Sequence, residues 1–318
     1  MCKINERLNI TLNGYKHYVS IKGNNIKNKI IISLHGGPGS PDSYLLYGLA
    51  NGLADSYTIV SYDMRGCGRS YYLNRDRKNE TLNFESLLKD LDELVAYLLD
   101  RFKKKSVIIM GHSFGSILGI SYAKLNYRRV DCYIGVSQII DSNKSLELNY
   151  NELLAMLDSD ASIRLQELYN SYIMDKSIIK LNTLHKAILS YYKDNIDGLI
   201  KTDINLVIKK SPDYKHKDFR WLRLIMKPER YVALEAPILE YVKSFNIATI
   251  GNELRVPCYF IIGEHDKSSR PEVLNEYYSI LKAPKKELVL LKNQGHTPQV
   301  VSPELFSKVV LELLGRQL

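Results

Sequence analysis

Three residue types that together can turn a hydroxyl into a nucleophile are scattered along this chain. They are Ser113 in "GHSFG" (111–115), Asp266 closing "YFIIGEHD", and His296 in "LVLLKNQGHTP". A serine hydroxyl attacks poorly until a base takes its proton, and the base needs a third group to hold it in place. Among seven histidines, His296 is the one that falls after the last strand-like run, on a loop behind Gly295. His17 and His35 precede the serine, and His112 adjoins it and cannot readily fold back as its base. His185 and His216 lie in a helical stretch, and His265 neighbours the proposed acid. Glu264 rivals Asp266, which sits deeper in its loop. The expected chemistry is attack of Ser113 on a carbonyl, with His296 as base and Asp266 as its orienting carboxylate.

Each of the three follows a predicted strand. The runs "KIIISLHG" (29–36), "YTIVSYD" (57–63), "KSVIIMG" (105–111), "VDCYIGVSQ" (130–138), "PCYFIIG" (257–263) and "ELVLLKN" (287–293) are rich in Ile, Val and Tyr with little polar alternation. Strands covered on both faces of a parallel sheet read this way. An opening hairpin is expected around Asn13-Gly14. Residues 83–102 place apolar side chains at the i, i+3, i+4, i+7 spacing of one buried helix face, and 303–314 read as a last helix. Between about 141 and 250 the rhythm breaks into mostly helical sequence, for example 151–173, before strand character returns at Pro257. The fold class is therefore α/β: a mostly parallel sheet flanked by helices, built from 1–140 and 251–318, with an inserted helical cap at 141–250.

Ser113 then occupies a strand-to-helix corner. A side chain at Gly111 or Gly115 would collide with neighbouring backbone in so sharp a turn, and Gly115, Gly119 and Ala123 give the helix a small face for close packing on the sheet. The Phe114 N–H, at the helix start, can point at a developing oxyanion. A second donor is expected from "SLHGGPGS" (33–40), Gly37 first and Gly36 as the alternative. In "DMRGCGRS" (63–70), Asp63 and Arg65 are expected to hold their loop by an ion pair.

Composition narrows the rest. An apolar share of 45% and a charged share of 25% over 318 residues are those of a globular protein with a large core. No apolar run is long enough to span a membrane, and "MCKINERLNI" lacks a secretory core, so cytoplasmic residence is expected. Cys2, Cys67, Cys132 and Cys258 show no paired spacing and read as ordinary thiols, with no metal or cofactor implied. The net charge of +9 is spread along the chain rather than gathered into a nucleic-acid-binding motif.

Together "HGGPG", "DMRGCGRS", "GHSFGS", "GEHD" and "GHTP" make the chain resemble an α/β-hydrolase of the proline iminopeptidase group, over about 29–140 and 255–315. The resemblance implies Ser113, Asp266 and His296 as the triad, a helical cap over the site, and release of N-terminal residues, notably proline, from short peptides. Three departures stand out: His112 and Phe114 replace the usual Gly and Trp beside the serine, Met64 replaces a Gln, and the cap glutamates that would hold a free amine have only weak counterparts. Those are Glu229, Glu235 and Glu240 in "KPERYVALEAPILE", with Trp221 expected to help shape the pocket. The substrate is accordingly a small molecule or short peptide. A carboxylesterase or lactonase on small apolar acyl groups is the alternative, and a triad-bearing ligand receptor with negligible turnover is the rival of another class.

Overall fold

A computed structural model describes residues 3–77, 82–195, 199–200 and 203–315. Its eight-stranded sheet comprises β1 (Ile4–Leu12), β2 (Tyr15–Gly23), β3 (Lys29–Leu34), β4 (Tyr57–Tyr62), β5 (Val107–His112), β6 (Val130–Val136), β7 (Cys258–Gly263) and β8 (Lys286–Leu291). The order is β1-β2-β4-β3-β5-β6-β7-β8. β1 and β2 form the hairpin across Asn13-Gly14 and join β4 antiparallel; from β4 to β8 every pairing is parallel.

The apolar runs follow from the two-residue period of a strand whose two faces are both covered. Ile30, Ile32 and Leu34 of β3 enter one core cluster with Leu91, Leu94 and Ile117, while Ile31 enters the other with Leu49, Phe306 and Val310. Phe260 and Ile261 of β7 divide the same way. The helices supplying these partners are α1 (Tyr47–Leu53), α2 (Gly68–Leu73), α3 (Phe84–Phe102) and α4 (Phe114–Leu125) before the insertion, and α11 (Pro271–Ile280), α12 (Pro298–Val301) and α13 (Pro303–Gly315) after it. α3 starts where the Asn83 side chain accepts the Ser86 N–H at 2.8 Å, and ends at Lys103 in the left-handed region.

The expected Asp63–Arg65 ion pair does not form. Arg65 forks onto Asp90 of α3 at 2.9 and 2.7 Å, where His17 meets the same carboxylate at 3.1 Å. Asp63 instead accepts the Arg69 N–H at 2.6 Å at the start of α2. Asp90 is a charged residue of an amphipathic helix, yet it is fully buried. The Arg65 guanidinium, with the His17 ring beside it, offsets the cost of that burial.

Between β6 and β7 the described residues form α5 (Ser142–Met156), α6 (Ser159–Asp175), α7 (Ile178–Asn195), α8 (Ile204–Lys210), α9 (His216–Ile225) and α10 (Pro228–Lys243). The 151–173 stretch spans parts of two helices, divided where Asp158 caps α6 by accepting the Ala161 N–H at 2.8 Å. A separate small core of Leu153, Leu165, Tyr172, Leu184, Ile188 and Tyr192 holds α5, α6 and α7 together. Cys67, Cys132 and Cys258 are buried and joined in no disulfide among the described residues, and Cys2 lies outside them. No helix among the described residues is long and apolar enough to cross a membrane.

Candidate active site

Ser113 stands between β5 and α4 with φ 51° and ψ −122°, a conformation that costs a non-glycine residue free energy. Its neighbours make the corner possible. A Cβ on Gly111 would overlap the backbone of Gly115, and one on Gly115 would overlap the Leu34 and His35 carbonyls. The Ser113 N–H bonds the Val136 carbonyl at 3.0 Å, while the Ser113 carbonyl receives the Ser116 N–H at 2.8 Å. The turn is thus clamped from both sides and its hydroxyl is held beyond the strand end.

His296 Nε2 lies 2.9 Å from Ser113 Oγ, and His296 Nδ1 lies 2.9 and 3.0 Å from the two Asp266 oxygens. A carboxylate at Nδ1 keeps the ring proton there and turns the Nε2 lone pair to the hydroxyl. Asp266 is fully buried and accepts the Ser268 and Ser269 N–H groups at 2.9 and 3.0 Å. Burial works to raise its pKa, but His296 and the surrounding donors outweigh that and bring the carboxyl down to about 2. Gly263, at the end of β7, lets the Gln294–Gly295 backbone close in, since a Cβ there would overlap both carbonyls. Glu264 is turned to the Asn293 N–H at 3.1 Å.

His112 has a part that the sequence reading missed. Its Nε2–H donates to the His296 carbonyl at 2.8 Å, and Ser137 Oγ donates to the same oxygen at 3.0 Å. Burial, reinforced by His296, lowers the His112 pKa to about 3, so it acts as a neutral brace for the loop carrying His296.

The Gly36–Gly37 segment rests against the nucleophile, for a Cβ on Gly36 would stand 3.0 Å from both His112 Nδ1 and Ser113 Cβ. Gly37 has φ +116°, which favours glycine. Among the described residues the Gly37 and Phe114 N–H groups have no hydrogen-bond acceptor. His35 ties this loop to the next: its Nδ1–H donates to the Gly36 carbonyl at 2.9 Å, and its Nε2 accepts the Met64 N–H at 3.2 Å. Both bonds need a neutral ring, and burial drops its pKa to about 4.

The insertion grips the same loop. Trp221 Nε1–H donates to the Gly39 carbonyl at 2.8 Å, and the Tyr231 hydroxyl to the Pro38 carbonyl at 2.9 Å. Glu235, 1% exposed, packs on Gly39, and burial lifts its pKa to about 8. Glu229 is exposed, and Glu240 is exposed beside Lys243. None of Trp221, Glu229, Glu235 and Glu240 lines the cavity above Ser113. That cavity has a volume of about 450 Å³ and reaches Ser113 and His296. Leu45, Ile139, Leu146, Leu181, Leu239 and Val242 make much of its wall, joined by Asp42, Asn149, Asn182 and His185. Burial lowers the His185 pKa to about 4, with His296 adding to the effect. Helical spacing alone had not distinguished this face from others of the insertion. Among the described residues no three His, Cys, Asp or Glu side chains are grouped to hold a metal ion.

The model of the alpha/beta hydrolase fold family matches residues 29–303. A probable aminopeptidase of Bacillus subtilis is 25% identical over 317 residues, covering 95% of this chain and 93% of that protein. A proline iminopeptidase of Saccharolobus solfataricus is 24% identical, covering 96% of this chain and 90% of its own. The crystal structure of a proline iminopeptidase from Mycobacterium smegmatis superposes with a TM-score of 0.72 at 16% identity, over 98% of both chains. At that identity the likeness speaks for the fold.

Proposed function

Because this chain belongs to the alpha/beta hydrolase family, we propose that it is a serine hydrolase in which Ser113, His296 and Asp266 form the catalytic triad. The observation that carries the reading is the unbroken relay at 2.9 to 3.0 Å from hydroxyl through imidazole to carboxylate. His296 takes the Ser113 proton as Oγ attacks a carbonyl carbon. The Gly37 and Phe114 N–H groups receive the charge that grows on the carbonyl oxygen. His296 then hands its proton to the leaving group, and a water, activated by the same base, releases the acyl group from Ser113. Residues 141–250 act as a cap whose apolar wall excludes water during these steps.

Cleavage of an N-terminal residue from a short peptide, as the names of the two relatives suggest, is the first reading of the substrate. Hydrolysis of a small ester or lactone is the second, favoured by the apolar wall of the cavity. A fluorophosphonate probe tests the core of the proposal. The wild type should be labelled and Ser113→Ala should not; an unlabelled wild type would overturn it and favour a ligand receptor. Turnover of prolyl arylamide against p-nitrophenyl acetate separates the two substrate readings, ester turnover alone selecting the second.

A further inference from the structure

An aminopeptidase must hold a cation beside its oxyanion donors, because the substrate's amine nitrogen is two bonds from the carbonyl carbon. The cap glutamates lie outside the cavity, so this charge must be met by another group. We propose that Asp42 is the carboxylate that receives the substrate's free ammonium, making the core loop rather than the cap the determinant of N-terminal specificity. The proposal rests on the peptidase reading above.

Asp42 is the carboxylate among the described residues lining the cavity. It follows Gly37 by five positions on the loop that offers the oxyanion donor, so amine and carbonyl would be read by one segment. Its carbonyl accepts the Leu45 and Leu46 N–H groups at 2.7 and 3.1 Å, which fixes its backbone ahead of α1. Asp42 is 8% exposed, and among the described residues its carboxylate is met by its own backbone N–H and by no cation. Asp63, 1% exposed, adds a like-charge neighbour whose Oδ1 has no side-chain or backbone partner among the described residues.

Two cations of this part of the molecule are already engaged. Arg69 forks onto Asp218 at 2.8 and 2.5 Å, and Lys243, on the cavity wall, donates to the Lys176 carbonyl at 3.0 Å and pairs with Glu240. Burial first, and Asp63 second, push Asp42 up to about 7. A buried carboxylate without a countercharge gains most from a cation that arrives with its own hydrogen-bond donors. A primary or secondary ammonium supplies both. The Asp42 site therefore prefers substrates with a free amine over their acylated counterparts.

The test compares prolyl and alanyl arylamides with their N-acetyl forms, using wild type, Asp42→Asn and Asp42→Glu, each first checked for fluorophosphonate labelling at Ser113. The wild type should favour the free amine. Asp42→Asn should still take the probe, yet lose at least about tenfold of that preference, chiefly through KM. Asp42→Glu should restore part of it. Labelled Asp42→Asn with wild-type preference overturns the proposal, as does a wild type indifferent to acetylation. In that last case continued ester turnover would leave the hydrolase reading standing. An Asp42→Asn protein that cannot be labelled, alongside a labelled Asp42→Glu that shows no amine preference, also overturns it by assigning Asp42 to the loop's structure.

Discussion

The sheet and the inserted helices hold their contributions to the cavity in different ways. At the strand ends, Ser113 and Asp266 are held by main-chain groups, the Val136 carbonyl and the Ser268 and Ser269 N–H groups, and the His296 loop alone is braced by side chains, His112 and Ser137. The insertion, with its own small core, reaches the loop at 38–39 through side-chain donors, Trp221 and Tyr231. Main-chain clamps leave few alternatives, whereas side-chain contacts can be exchanged one at a time. Changes in the first region should therefore abolish function, and changes in the second should grade it.

Replacing the nucleophile or its base tests the first half most severely. Ser113→Ala or His296→Ala should lower kcat on a p-nitrophenyl ester by about ten-thousand-fold or more, with the thermal midpoint nearly unchanged. A smaller loss would mean that these strand ends do not carry the chemistry. Next comes Gly115→Ala, whose methyl would overlap the Leu34 and His35 carbonyls. Urea unfolding should show a loss of about 3 kcal/mol, with activity falling alongside. Asp90→Asn, which strips the buried Arg65 of its carboxylate, should also cost about 3 kcal/mol while the labelled fraction at saturation is preserved.

Acid sharpens the same point. Asp266 has a folded pKa of about 2 against an ordinary value of 3.8. The stability it contributes is complete above about pH 4 and disappears as pH falls towards 2. Asp266→Asn should flatten that part of a stability-against-pH curve. In the insertion, Trp221→Phe should cost about 1 kcal/mol and reduce kcat/KM several-fold by loosening the Gly39 carbonyl. A collapse as deep as that of Ser113→Ala would erase the distinction between the two regions.

The same distinction explains what could be read from the chain. The strands were legible because burial on both faces leaves unbroken apolar runs, and the meeting of Ser113, His296 and Asp266 because each follows such a run. The flanking glycines declared a backbone corner. His112 could not be assigned, because its acceptor is a main-chain oxygen 184 residues away. Arg65 was misassigned for a similar reason: Asp63 is near in sequence, but Asp90 is brought there by the packing of α3. In the insertion, helical periodicity marks an apolar face without saying whether protein or cavity lies opposite. Trp221 and Glu235 thus passed for pocket residues although both are buried against Gly39.

α10 bears Tyr231 near its beginning and Val242 near its end, about 16 Å apart along the axis. Tyr231 holds the Pro38 carbonyl, while Val242 bounds the space an acyl group would fill. One helix, with Pro237 inside it, therefore joins the far wall of the cavity to the backbone at Pro38. Lengthening the acyl chain should thus be felt as a change in turnover as well as in affinity.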